Sequence, residues 1–137
     1  MFSRSNYWML FKRLAKSLTK LYSKAREAHK SHARSPEWAK VRDTFAEKNP
    51  SCAACGGGTD IQVHHIRPFH LHPELELEPT NLISLCMGTD QCHLMIGHGD
   101  SFRCFNPNVI EDAARFAASS PEDRAKLVVE VRTRRQS

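Results

Sequence analysis

Four cysteines and five polar side chains carry most of the chemistry open to this chain. Cys52 and Cys55 have two residues between them, and Cys86 and Cys92 form a second pair about thirty residues further on. Four thiolates in a tetrahedron, each about 2.3 Å from the ion, describe a closed zinc site with no open position for reaction. The five residues between Cys86 and Cys92 exceed the usual spacing of about two to four, so unrelated core thiols stay open as the alternative. The "CGGG" that begins at Cys55 favours the metal, because glycines permit the positive φ values that a cysteine knuckle turn needs. Cys104 is left over and reads as a small hydrophobe.

The other polar groups fall in the order His64, His65, Asn81, His93, His98. His64 and His65 lie in "VHHIRP", a run that reads as a short strand, and neighbouring strand residues point to opposite faces. They are therefore expected to do different things. A histidine can act as a base near neutral pH only while it is uncharged, so it belongs beside a cation and not on it. A satisfied, partly buried histidine pair is the plainer alternative. Arg67 can hold a phosphate or pair with nearby acids. His70, His72 and the acids Glu74, Glu76 and Glu78 read as solvated surface, the two histidines with an option on DNA.

The elements that must position these groups follow from pattern. A helix is predicted from Ser35, with Pro36 at its first position and Trp38, Val41 and Phe45 along one face, ending before Asn49-Pro50. "IQVHHI" is a strand, "RPFHLHPELELEPT" a long loop and "NLISL" a second strand. A helix should run from about Asp90 towards Gly97, and two more from Pro107 to Ala118 and from Pro121 to Arg134. The last opens on a variant capping box, with Asp123 in place of Glu. A strand, strand, helix unit can gather the polar groups around one cation.

"CAAC", "VHHIRP", "TNLISLC" and "CHLMIGH", in this order and at these separations, resemble the HNH endonuclease family in its zinc-stapled branch. The resemblance runs from Ser35 to Val109. It includes the "RSPEW" opening and the "GHGDSFRCFNPNV" exit, which are similar to phage and bacterial members. It implies an α+β fold: a ββα-metal core with a structural four-cysteine zinc site, flanked by N- and C-terminal helices. The implied organisation is a basic arm at 1–34, a nuclease domain at 35–109 and a helical tail at 110–137.

By the same resemblance His64 binds a catalytic cation, where the family often has Asp, and His65 is the general base. Asn81 steadies the loop and orients the base, His93 is the helix ligand and His98 the final histidine. Cys52, Cys55, Cys86 and Cys92 hold the structural Zn2+. An imidazole-rich site is better matched to Mn2+, Co2+, Ni2+ or Zn2+ than to Mg2+. His93 and His98 are five apart, while one α-helical face wants three or four. Either Gly97 breaks the helix so that His98 swings back, or His98 stands behind the ligands.

Charge points to a polyanionic partner. The net formal charge is +5. Residues 1–30 hold eight basic residues against one acidic, and residues 31–137 hold twelve against fourteen. From Tyr7 to Ala28 apolar residues step by four and three, with Lys12, Lys16, Lys20 and Lys24 opposite. That helix can dock on the body, pair with its twin in a homodimer, or lay its lysines on nucleic-acid phosphates. A mitochondrial presequence is a minor reading of the same segment. The unpaired cysteines suggest a reducing, cytoplasmic compartment, and no apolar stretch suits a membrane span. The expected activity is metal-dependent hydrolysis of DNA phosphodiester bonds. The alternatives are a zinc-stapled nucleic-acid-binding module without turnover, or an RNA-directed nuclease helped by Arg132, Arg134 and Arg135.

Overall fold

In a computed structural model of the chain, residues 33–88 and 90–137 are described. The segment with Lys12, Lys16, Lys20 and Lys24, and any dimer formed through it, lies outside them. Residues from Ser35 to Ser137 make one compact unit. Its elements in order are α1 (Trp38–Lys48), β1 (Ile61–His65), β2 (Leu82–Cys86), a five-residue π-helical turn (His93–Gly97), α2 (Val109–Ala118) and α3 (Pro121–Arg134). Two 3-10 turns, Pro73–Leu75 and Pro79–Asn81, shape the loop between the strands. The result is a mixed α+β architecture around a two-stranded antiparallel sheet.

β1 and β2 pair over their full lengths, with His64 opposite Ile83 and His65 opposite Leu82. Every residue of β2 is buried, so the sheet is covered on both faces. α1 packs on β1, and α2 and α3 pack on each other and on the π turn. Val109, Asp112, Ala113 and Phe116 form the inward stripe of α2, and Leu127 and Val131 that of α3. The apolar members of these stripes join Ile83, Leu85 and Ile96 in one core. The segment read as a tail therefore packs directly against the turn that carries His93.

Three boundaries differ from expectation. α1 begins at Trp38 and not at Ser35, because Ser35 makes a turn instead: its carbonyl accepts from the Trp38 amide at 3.1 Å and its hydroxyl from the Glu37 amide at 3.2 Å. α2 begins at Val109, since the Asn106 side chain accepts from the Asn108 amide at 3.0 Å and holds Pro107 in a turn. The helix expected from Asp90 is the π turn. α3 has the predicted bounds, and its cap forms: the Ser120 hydroxyl accepts from the Asp123 amide at 3.2 Å. The shorter Asp123 carboxylate accepts from the Ser120 hydroxyl at 2.9 Å. No helix among the described residues is long and apolar enough to cross a membrane.

Candidate metal centres

The first cysteine pair sits on a turn that its own backbone closes. The Gly56 amide donates to the Cys52 carbonyl at 2.9 Å, the Cys52 amide to the Gly57 carbonyl at 2.7 Å, and the Gly57 amide to Cys55 Sγ at 3.4 Å. Gly56 carries the positive φ, +76°, that the knuckle requires. Cys86 ends β2 and Cys92 leads into the π turn. The longer gap between them is taken up against the corner before β1. There the Met87 amide donates to the Asp60 carbonyl at 2.8 Å, and Gly88 approaches so closely that a Cβ would stand 3.0 Å from the Thr59 carbonyl oxygen.

All four Sγ atoms lie within 4.8 Å of one another, with Cys55 and Cys86 at 3.5 Å. Sulfurs about 2.3 Å from a common ion would be about 3.8 Å apart along the edges of a tetrahedron. The thiols also feel each other strongly. The hydrogen bond from Cys92 draws Cys52 down to about 4, and Cys92 is pushed far up by the same contact. Burial pushes Cys55 up to about 11. One thiolate thus suppresses ionisation of its neighbours, and a divalent cation is what lets all four carry charge together. The cluster is compatible with a bound metal, and its donor set is that of structural zinc.

His64, His93 and His98 form a second group, their ligand atoms again within 4.8 Å of one another. Ring centroids are 5.1 Å (His64–His93), 4.8 Å (His64–His98) and 4.9 Å (His93–His98), and the planes are steeply inclined. Strand alternation turns His64 towards the π turn. In an α-helix, residues five apart diverge by about 140°; the wider π winding brings His93 and His98 to the same side. Gly97 is where the helix ends, one of the two readings the spacing left open. It belongs to the π turn, and its role is clearance: a Cβ there would stand 3.1 Å from His64 Cε1 and 3.2 Å from His64 Nδ1.

The electrostatics suit ligands. Burial, then the neighbouring imidazoles, holds His64 well below its ordinary pKa. Burial and His98 bring His93 down to about 4, and burial also lowers His98. All three rings are neutral at pH 7. His98 Nδ1 lies 2.7 Å from the Cys104 carbonyl; since a carbonyl only accepts, that nitrogen carries the proton and Nε2 keeps the lone pair. His64 Nε2 is buried with no hydrogen-bond partner, a costly arrangement for a polar atom unless a ligand completes it. This group too is compatible with a metal ion.

His65 faces the other way. Its Nε2 donates to the Glu76 carbonyl at 2.9 Å, which leaves the lone pair on Nδ1, and its ring lies 4.4 Å from that of Trp38. Asn81 is buried and braces the same loop. Its Oδ1 accepts from the Arg67 amide at 2.8 Å, and its Nδ2 donates to the carbonyls of Arg67 at 3.1 Å and Leu75 at 3.2 Å. Glu76 corrects the reading of a solvated acidic edge: it is buried, and its carboxylate accepts from the Ser35 amide at 3.0 Å. Arg67 and His70 are exposed, and His72 contacts the exposed Glu74 at 3.2 Å.

Sequence reasoning missed three participants: the carbonyls of Glu76 and Cys104, and Phe102, whose ring lies 5.0 Å from that of His98. The carbonyls left no signal in the sequence, because any residue supplies one. The chain has no match among protein-family models, curated proteins or solved structures.

Proposed function

We propose that this protein is a metal-dependent endonuclease of the HNH kind, with the strands and π turn serving as its ββα-metal unit and DNA as its substrate. One observation carries the reading: three neutral histidines converge, one of them with a buried nitrogen that has no hydrogen-bond partner, while their sequence neighbour His65 is held apart in a defined tautomer. A purely structural histidine cluster would not leave His64 Nε2 bare in the interior.

In this reading His64, His93 and His98 hold a divalent cation, which when bound offsets charge developing on the phosphoryl oxygen and leaving group. His65 takes the proton of the attacking water at Nδ1. The Glu76 carbonyl fixes the ring and accepts from the Nε2 proton throughout, which also favours the imidazolium once formed. Asn81 keeps that loop in place through both bonds to Arg67. The exposed Arg67 side chain, two residues beyond His65, can pair with the phosphate. Cys52, Cys55, Cys86 and Cys92 hold a structural zinc that ties the start of β1 to the end of β2. The basic first thirty residues add sequence-independent affinity.

The test is cleavage of supercoiled plasmid by zinc-loaded wild type and His65→Ala, with Mg2+, Mn2+, Ni2+ or EDTA. Wild type should nick or linearise in Mn2+ or Ni2+, and a folded His65→Ala should lose about a hundredfold or more. If neither cuts but both retard the plasmid on a gel, the scaffold is a binding module without turnover.

A further inference from the structure

Phe102 is 61% exposed, the largest exposure among the big hydrophobic side chains described. It is not a stray surface residue. Its ring centroid lies 5.0 Å from that of His98 and 5.9 Å from that of His93, inclined at 61° and 63°, so it borders the histidine group and still presents itself to solvent. The loop that carries it is well braced. Asp100 pairs with Arg132 at 2.7 Å, the Cys104 amide donates to the Ser101 carbonyl at 2.8 Å, and Phe105 and Gln136 exchange backbone hydrogen bonds at 2.7 and 2.9 Å. Arg103, the next residue, is exposed as well.

We propose that Phe102 is a stacking platform for a nucleobase next to the scissile phosphate, and that Arg103 contacts the flanking phosphate. This rests on the nuclease reading, because it takes the histidine group as the place where the phosphate sits. A nucleotide held there must put its sugar and base within a few ångströms of the rim, where the exposed aromatic ring is. A flat apolar ring beside a cation suits the π-face of any base and carries no sequence preference. Bases in a continuous duplex are stacked on both faces and cannot use it. The preferred ligand is therefore a single strand or a duplex with an unstacked base.

The experiment uses the full-length, zinc-loaded chain and fluorescein-labelled oligothymidine, an abasic strand of equal length, and a continuous duplex, read by anisotropy without further divalent ions. Wild type should bind the intact strand more tightly than the abasic one. Phe102→Leu should weaken the intact strand about five- to 150-fold, the range for losing one stacked base, and leave the abasic strand unchanged. Phe102→Trp should keep the preference, whereas Arg103→Ala should weaken both strands alike. Nickel affinity, measured by calorimetry, should be the same in Phe102→Leu as in wild type, which separates stacking from support of the histidines. If Phe102→Leu binds all three ligands as wild type does while plasmid is still cut, the stacking inference is overturned and the nuclease reading stands. If wild type neither binds these strands nor cuts plasmid, both fall.

Discussion

Protonation distinguishes the two ligand groups. Cys55 and Cys92 are held protonated at neutral pH, so loading the cysteine group with zinc should release at least two protons. Loading the histidines should release essentially none, since burial lowers the pKa of all three. The sign follows: with folded pKa values below the usual 6.5 or so, protons do not compete with a cation as pH falls through that value. Nickel affinity should begin to weaken only at a pH lower than an ordinary imidazole would impose, with His93 itself protonating near 4. Calorimetry in buffers of different ionisation enthalpy reads both effects, and affinity that breaks at 6.5 would contradict the burial. Gly97→Ala tests the clearance. The new methyl must push on His64 and on Leu85 Cδ1, 3.3 Å away, both buried. Nickel affinity should fall about tenfold and stability by about 1–3 kcal/mol, with zinc stoichiometry at the cysteines unchanged.

Among the elements, the π turn is the one whose form is imposed from outside. Asn106 is fully buried; its amide donates to the Gly97 carbonyl at 2.9 Å and its Nδ2 to the Ile96 carbonyl at 3.0 Å and to Asp112 at 2.7 Å. Asp112, buried on α2, is also paired with Arg115 and Arg134, so its charge is compensated. Asn106→Ala would remove the side-chain donor to the Ile96 carbonyl and one of the two donors to Asp112 Oδ2, the other being Arg134, at about 2–4 kcal/mol. Denaturant unfolding at saturating zinc should show that loss, and nickel affinity at the histidines should fall with it. A variant as stable as wild type would mean that the turn holds its own shape.

At the scale of the whole molecule the core is small. Of the thirteen buried apolar residues among those described, three are the cysteines Cys52, Cys86 and Cys92. Structural zinc supplies about 10–16 kcal/mol in small metal-bound domains, comparable to the entire stability of a domain this size. Removing the ion with a strong chelator should therefore abolish cooperative unfolding and near-UV circular dichroism together, and Cys92→Ser should do the same. An ion held by the four cysteines would join the turn before β1 to the end of β2, so the pairing of the two strands should be lost with it. If the chelated protein still melts sharply, the packing of α2 and α3 is enough.

What the chain determined by itself was local. Side-chain chemistry marked the cysteines and histidines as donors. The strand period of two sent His64 and His65 to opposite faces, as β1 shows, and Ser120-Pro121 capped α3 from within its own first turn. The tertiary structure decided what depends on distant partners. His93 and His98, five residues apart, share a side because Asn106 and the helices behind it shape the π turn. Glu76 turned inward because the Ser35 amide, 41 residues away, receives its carboxylate. In each case the deciding hydrogen bond joins residues beyond one turn of helix or one step of strand. Sequence periodicity carries no record of such bonds, because it reports which face is apolar and not which donor meets which acceptor.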